Sequence, residues 1–465
     1  MFDKQVYIDR RKKLKQDVGS GLILLLGNEE SSMNYTDNLY PFRQDSSFLY
    51  FFGIDRPGLM GIIDVDADDE MMFGDDLTIE QMVWTGYQQP LGEEAASTGI
   101  STVKKLADLQ REIDKAVVQH QTIHFLPPYR PEQQQRLAAL LNVDAIALPS
   151  MNSVPLIKAI VAQRSIKGTE EIAEIEQAVN TTIEMQLEAM RYAQEGMTEA
   201  NIAGRLHGRA ISAGGNLSFP TILTVNGQVL HNHYGNNILH KGQLVLCDCG
   251  AETSMHYAGD LTRTFPVAEK FSTQQKEIYE LVLHTIEAAA GSLKPGILYK
   301  DIHLFACEKL VEGLQQFGLM KGDIREAVAA GAHALFFPCG LGHMMGLDIH
   351  DMENLGEQYV GYTEDLQKST QFGLKSLRLG RALEAGFVLT VEPGLYFIPE
   401  LMDQWETEKK FTQFINYDKL GAYKTLGGIR LEDDYLITAN GSRLLGKQLP
   451  KLPGEIESYR TITRA

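Results

Sequence analysis

The sequence predicts two domains, a small α/β domain over 1–165 and a larger α+β domain over 166–465 that is internally duplicated. Three observations carry this. The chain has 465 residues, more than a single hydrophobic core usually serves. Its first third alternates short apolar runs with Gly and Pro, whereas a long amphipathic stretch starts just after a linker near Ser165–Gly168. Two segments one hundred residues apart also resemble each other: Gly196-Met197 leads to Ile202, and Gly296-Ile297 leads to Ile302, each opening an amphipathic run.

In the smaller domain, Gly21–Leu26, Ser47–Phe52, Leu59–Val65 and Thr122–Leu126 read as strands, and Pro127 to Pro131 as a loop. In the larger one, Thr169 reads as a helix N-cap, with Glu170 and Glu171 in the first turn where the helix dipole favours anions. Ile172, Ile175, Val179, Ile183, Leu187 and Met190 recur at spacings of three and four, and Gly196 follows as the stop. Ser272 and Gln275 fit a capping box opening a second helix that runs to about Ala290, with Gly291 after it. The polar, Gly-containing stretch 356–381 reads as an excursion from the core.

Composition excludes several classes. Hydrophobic residues make up 44% and charged residues 22%, the balance of an ordinary globular protein. With Lys plus Arg at 43 and Asp plus Glu at 61, the net charge is −18. Such a surface repels nucleic acid and anionic membranes. The N-terminus is charged throughout and does not read as a secretory leader, and no apolar run is long enough to span a bilayer. Four Cys are too sparse for a disulfide framework, so reduced thiols and a cytoplasmic location are expected. Cys247 and Cys249 read as two buried strand residues.

The chemistry lies in acids that end apolar runs. Asp248 closes Gln243-Leu-Val-Leu-Cys-Asp, and Asp260 follows twelve residues later in Tyr-Ala-Gly-Asp-Leu-Thr-Arg. Glu392 closes Phe387-Val-Leu-Thr-Val-Glu, Glu432 closes Gly428-Ile-Arg-Leu-Glu, and Gly340-Leu-Gly-His343 adds an imidazole. An acid delivered by an apolar strand is unfavourable unless compensated, and neighbouring carboxylates repel until they are protonated or bridged. Four carboxylates and one histidine form a hard, oxygen-rich ligand set. It suits two divalent ions of the Mn²⁺ class better than a thiolate-seeking site.

These motifs resemble the pita-bread metallopeptidases, specifically aminopeptidase P and prolidase. The resemblance spans the chain: Tyr40-Pro-Phe-Arg-Gln-Asp-Ser-Ser-Phe-Leu-Tyr-Phe-Phe-Gly53, Asp260-Leu-Thr-Arg-Thr-Phe-Pro266, Gly340-Leu-Gly-His-Met-Met-Gly-Leu-Asp-Ile-His-Asp351, Thr390-Val-Glu-Pro-Gly394 and Gly428-Ile-Arg-Leu-Glu-Asp-Asp434. It implies a creatinase-type α/β N-terminal domain followed by a duplicated α+β pita-bread catalytic domain. It also implies a dinuclear centre, commonly manganese, on Asp248, Asp260, His343, Glu392 and Glu432. The implied substrate is a peptide with proline second from its N-terminus, and the implied assembly is a homodimer or larger.

The resemblance further implies supporting roles. His350 steadies the tetrahedral intermediate, Arg430 pairs with a ligand carboxylate, and Glu392 also shuttles the proton. A further histidine is His231 by upstream alignment or His233 by its His-Tyr pair. Arg378, in Gly373-Leu-Lys-Ser-Leu-Arg, matches the arginine with which prolidase holds a dipeptide carboxylate. On that match, Xaa-Pro dipeptidase leads and Xaa-Pro aminopeptidase follows. The pita-bread fold also serves metal-free creatinase and non-catalytic binding proteins, which lose ligands that this chain keeps. One departure is Cys339, where the family usually has His. The remaining histidines, such as His120, His124, His207, His284 and His303, read as ordinary helix or strand residues.

Overall fold

The computed structural model describes residues 1–462. The chain divides into two compact units, Met1–Arg164 with Asn354–Tyr359, and Ser165–Glu353 with Val360–Ala465. Among the described residues, no single helix is long and apolar enough to cross a membrane.

The first unit is built on five strands, β1 (Leu22–Leu26), β2 (Met60–Asp64), β3 (Asp69–Phe73), β4 (Thr102–Lys104) and β5 (Ile123–His124), in the order β4-β3-β2-β1-β5. The β1–β2 and β2–β3 pairs are antiparallel, while β5 and β4 join in parallel. Leu22, Leu24, Met60, Ile62, Met71 and Phe73 form one core with Leu109, Ile113 and Leu137. One predicted strand is overturned: Ser46–Phe52 is a helix. Asp45 caps it by accepting the Phe48 N–H at 2.8 Å, and Gly53 closes it at φ 69°. All seven helical residues are buried, so the run is apolar on every side and carries no period to distinguish helix from strand. The flanking Asp and Gly are the signals that decide it.

The second unit holds β6 (Asn216–Leu217), β7 (Ile222–Thr224), β8 (Leu244–Cys249), β9 (Ala251–Glu252), β10 (Leu261–Pro266), β11 (Val388–Val391), β12 (Gly394–Tyr396), β13 (Gly428–Arg430), β14 (Asp433–Ile437) and β15 (Ser442–Leu444). They form two three-stranded antiparallel sheets, β10-β8-β7 and β11-β14-β15, and the pairs β12–β13 and β6–β9. The first long helix is Thr169–Tyr192; Gly168, not Thr169, is its N-cap, with the Glu171 carboxylate accepting the Gly168 N–H at 2.9 Å. It ends four residues before Gly196. The second, Thr273–Gly291, has the Ser272–Gln275 capping box and includes Gly291. The stretch 356–381 forms turns and short helices, with no strand among its described residues.

The duplication is written in the backbone. Helix Thr169–Tyr192 is followed by Glu199–Ser212, and Thr273–Gly291 by Tyr299–Gln316. In the first half Gly196 N–H donates to Leu239 O at 2.9 Å, Leu239 N–H to Met197 O at 2.8 Å and Glu199 N–H to Asn237 O at 3.1 Å. In the second, Gly296, Leu383 and Tyr299 donate to Leu383, Ile297 and Arg381 at 2.8, 2.9 and 3.0 Å. Gly196 and Gly296 share φ 86°, a left-handed conformation that glycine adopts without strain. The short helix-to-helix match in sequence thus reflects one repeated turn.

Candidate metal centre

Asp248 lies on a buried strand, and the other three acids lie just beyond the ends of strands. Every residue of β8 and β10 is buried, and their register pairs Asp248 with Thr262 and Cys249 with Leu261. Helix Thr169–Tyr192 supports this ladder. Gln186 donates to Leu261 O at 2.6 Å and Cys247 O at 3.1 Å. Gly259 permits the close approach, since a Cβ there would meet Val179 N at 2.8 Å. Glu392 follows β11, and Glu432 lies between β13 and β14, bridged to Thr262. In the Gly-Leu-Gly-His motif, a Cβ on Gly342 would meet Thr390 O at 2.1 Å, so glycine lets His343 dock there. The Thr390 N–H then donates to His343 O at 3.0 Å.

The chain brings Asp260, His343 and Glu432 together, with one potential ligand atom of each within 4.8 Å of the others. His343 Nε2 lies 3.5 Å from Asp260 Oδ2 and 3.8 Å from Glu392 Oε1. Its Nδ1 faces Met344 O at 3.0 Å. A carbonyl can only accept, so Nδ1 carries the hydrogen and Nε2 of the neutral ring is the bare nitrogen aimed at the acids. Arg430 Nη2 donates to Asp248 Oδ2 at 2.5 Å and Nη1 to the Tyr396 hydroxyl at 2.8 Å. Thr262 Oγ1 donates to Glu432 Oε2 at 2.7 Å, and Asp434 Oδ2 accepts the Asp260 N–H at 3.0 Å.

Charge is under strain here without a cation. Burial first, then Asp248, Asp434 and Glu392, push the Asp260 carboxyl well above its ordinary range. Burial, then Asp260, Glu392 and Asp248, do the same to Glu432, and burial leads the upward shift of Glu392. Asp248 Oδ1 and Asp260 Oδ1 are buried and find no hydrogen-bond partner among the described residues. Orphaned carboxylate oxygens, a bare imidazole nitrogen and a set of hard donors together fit divalent cations.

His350 stands against His343, ring centroids 4.4 Å apart at 77°. Glu353, which sequence reasoning missed, accepts from His350 Nδ1 at 2.7 Å and also pairs with Arg378. Burial, then His343, brings His350 down to about 4, and Glu353 only partly counteracts this. His350, followed by Arg378, holds the Glu353 carboxyl at about 2. Arg378 is 30% exposed at the side chain, and its charge reaches His343, His231 and Glu392. His231 is exposed, yet partial desolvation, then Arg430, lower its proton affinity while Asp248 raises it. His233 instead forms a bridge with Ile222, and its Nδ1 faces Thr221 O at 3.4 Å. Cys339 Sγ lies 4.0 Å from the Tyr396 hydroxyl. Burial, then Glu392, push its thiol up to about 12, which disfavours the reactive thiolate.

Besides Glu353, sequence reasoning missed Tyr396, Thr262 and Asp434. Thr262 could have been found: it lies two residues after Asp260, on the same face of the strand. Tyr396 sits four residues beyond Glu392 with a Pro-Gly break between, so no period announces it. Glu353 had only its helix-turn spacing of three from His350.

Comparison with known proteins agrees with this geometry. Residues 173–439 match the model of metallopeptidase family M24, and residues 7–124 match the aminopeptidase P N-terminal domain. The chain is 30% identical to Xaa-Pro dipeptidase of Homo sapiens, covering 98% of this chain and 92% of the relative. It is 30% identical to a probable Xaa-Pro aminopeptidase of Sordaria macrospora, covering 94% and 91%. The low-pH form of Escherichia coli aminopeptidase P superposes with a TM-score of 0.81 at 27% identity, covering 100% of this chain and 99% of that one. Strands that converge four acids and a histidine, in a duplicated domain behind a matching N-terminal domain, have one explanation: the chain belongs to metallopeptidase family M24.

Proposed function

We propose that this protein hydrolyses the bond before proline in Xaa-Pro peptides, with dipeptides preferred. The observation that supports the dipeptide is Arg378, a guanidinium whose charge reaches His231, His343 and Glu392. In a dipeptide the free carboxylate lies next to the scissile bond, where a guanidinium can grip it with two hydrogen bonds. Proline supplies no N–H, so its recognition falls to the shape of its ring rather than to a hydrogen bond.

Asp248, Asp260, His343, Glu392 and Glu432 would hold two divalent ions, which we assign to the Mn²⁺ class. Such ions lower the pKa of a water nucleophile and polarise the substrate carbonyl. The chain's own residues do the rest. Glu392, whose side chain is 22% exposed, takes the water's proton and delivers it to the leaving nitrogen. His231, rather than His233, faces the developing oxyanion with His350. The His350 hydrogen at Nδ1 is committed to Glu353, so donation from Nε2 requires the charged ring, which burial and His343 oppose and Glu353 only partly restores. Arg430 holds Asp248 in place. We extend the reading to a cytoplasmic homodimer or larger assembly.

The second reading is Xaa-Pro aminopeptidase, and Glu353 favours it. Arg378 is already paired with Glu353, so a longer peptide that lacks the adjacent carboxylate does not strand the cation. The test compares kcat/KM on Ala-Pro and Ala-Pro-Ala for wild type and Arg378→Ala. The dipeptidase reading requires a wild-type preference for Ala-Pro that the variant loses. Equal or faster cleavage of the tripeptide by wild type moves the protein to aminopeptidase.

A further inference from the structure

A second buried cluster lies apart from the acids. His303 and Cys307 stand one turn apart on helix Tyr299–Gln316, and His333 lies in the short turn Ala332–Leu335. One potential ligand atom of each lies within 4.8 Å of the others. His303 Nε2 is 3.6 Å from Cys307 Sγ. His303 and Cys307 are fully buried and His333 is 3% exposed. Among the described residues, His303 Nδ1 and the two His333 nitrogens make no hydrogen bond, although the Val328 carbonyl is near enough to His333 to favour its charged form. The surroundings are apolar: Phe337 packs on the His303 ring at 5.7 Å, and Ala306, Leu335 and Phe336 are fully buried.

Imidazole nitrogens without well-formed hydrogen bonds in an apolar core are unfavourable unless something compensates them. The spacing offers a specific partner. Residues four apart on a helix present their side chains on one face, and two imidazoles with one thiolate are the donors that borderline-soft dications take. We propose that His303, Cys307 and His333 bind one zinc-class ion, separate from the oxygen-rich peptidase centre. On binding, Cys307 forms the metal–sulfur bond, its S–H breaks, and the proton leaves to solvent. A tetrahedral shell needs ligand atoms roughly 3.5 Å apart, a contraction of the present spacing that side-chain rotation can supply. The two sites differ in chemistry. The peptidase cluster offers carboxylates, whereas this one offers a thiolate and no carboxylate, so softer ions partition to it. Cys307 also feels the Cys339 thiol electrostatically, which makes Cys339 the control for ligand identity.

The test loads the purified full-length protein with Co²⁺ and reads the thiolate-to-cobalt charge-transfer band, which carboxylate and imidazole ligands do not produce. Wild type is expected to show the band. Cys307→Ser should lose it, His333→Ala should weaken or lose it, and Cys339→Ser should keep it. X-ray absorption on the zinc-loaded wild type supplies a measurement that needs no variant. One sulfur and two imidazoles around a fraction of the zinc are expected after the peptidase centre has been filled with Mn²⁺. A cobalt-loaded wild type without the band, a band that follows Cys339 instead of Cys307, or zinc without any sulfur neighbour would overturn the proposal. In those cases the three residues are an apolar-core cluster around, at most, a buried water. None of these readouts depends on peptidase activity.

Discussion

In the first half of the larger unit, Asp248 and Asp260 come from one antiparallel ladder, whereas in the second half Glu392 and Glu432 leave from breaks between strands. The β8–β10 register sets Asp248 opposite Thr262, two residues from Asp260. Carrying the β11–β14 register one step past Val391–Asp433 sets Glu392 opposite Glu432. The first half thus offsets its acids along the ladder and uses the short side chain. The second half places its acids just past the last rung of the ladder, where Glu392-Pro393 and Glu432 interrupt β-structure, and uses the longer side chain. The halves also differ in support. Asp248 is held by Arg430 and Glu432 by Thr262, so each half's acid is fixed by a residue of the other. The duplicated scaffold supplies symmetric positions, and the side chains break that symmetry to fill one shared centre.

The largest effect is expected at Asp260. Asp260→Asn removes a charge at the point where the ladders meet. It should lose bound metal and lower kcat on the order of 10³-fold with the fold intact. Full activity together with full metal content would refute the ligand assignment. If reach is set by backbone geometry, Glu432→Asp should lower kcat by about 10²-fold although its charge is kept. A rate close to wild type would show that the centre tolerates either acid length. Thr262→Val deletes the hydroxyl that orients Glu432, and metal affinity measured by titration should fall about 10- to 100-fold.

Two smaller effects compare equivalent positions in the repeat. Glu199 is fully buried and accepts from Val225 N at 2.8 Å, Gly235 N at 2.9 Å and Asn237 Nδ2 at 3.1 Å. Glu199→Gln turns one acceptor into a donor facing donors, and urea unfolding should show a loss of about 2 kcal/mol. Tyr299 stands at the same place in the second half and donates to Thr390 O at 2.7 Å. Tyr299→Phe should cost about 1 kcal/mol and change kcat little. A larger loss for Tyr299→Phe than for Glu199→Gln would reverse this ranking of the two halves.

The sequence alone singled out the candidate ligand residues, because an acid ending an apolar strand is costly and therefore conspicuous. It also determined the repeat, since Gly196 and Gly296 each announce a left-handed turn, and the two long helices, whose apolar periods face a core on one side only. The helix Ser46–Phe52 carried no period, because it is buried all round, and only the flanking Asp45 and Gly53 marked it. The partners of the functional residues were not legible either. Tyr396 meets Arg430, and Thr262 meets Glu432 across 170 residues, through strand register that no local pattern encodes. Glu353 is the clearest case. An exposed acid beside His350 reads as a surface residue, and only the fold turns Arg378 toward it, making one carboxylate the partner of both the histidine and the arginine. His303, read singly, is an ordinary helix histidine. Tertiary structure set His333 against it and left His303 Nδ1 and both His333 nitrogens without a hydrogen bond among the described residues, because burial is a property of the packed chain and not of any residue in it.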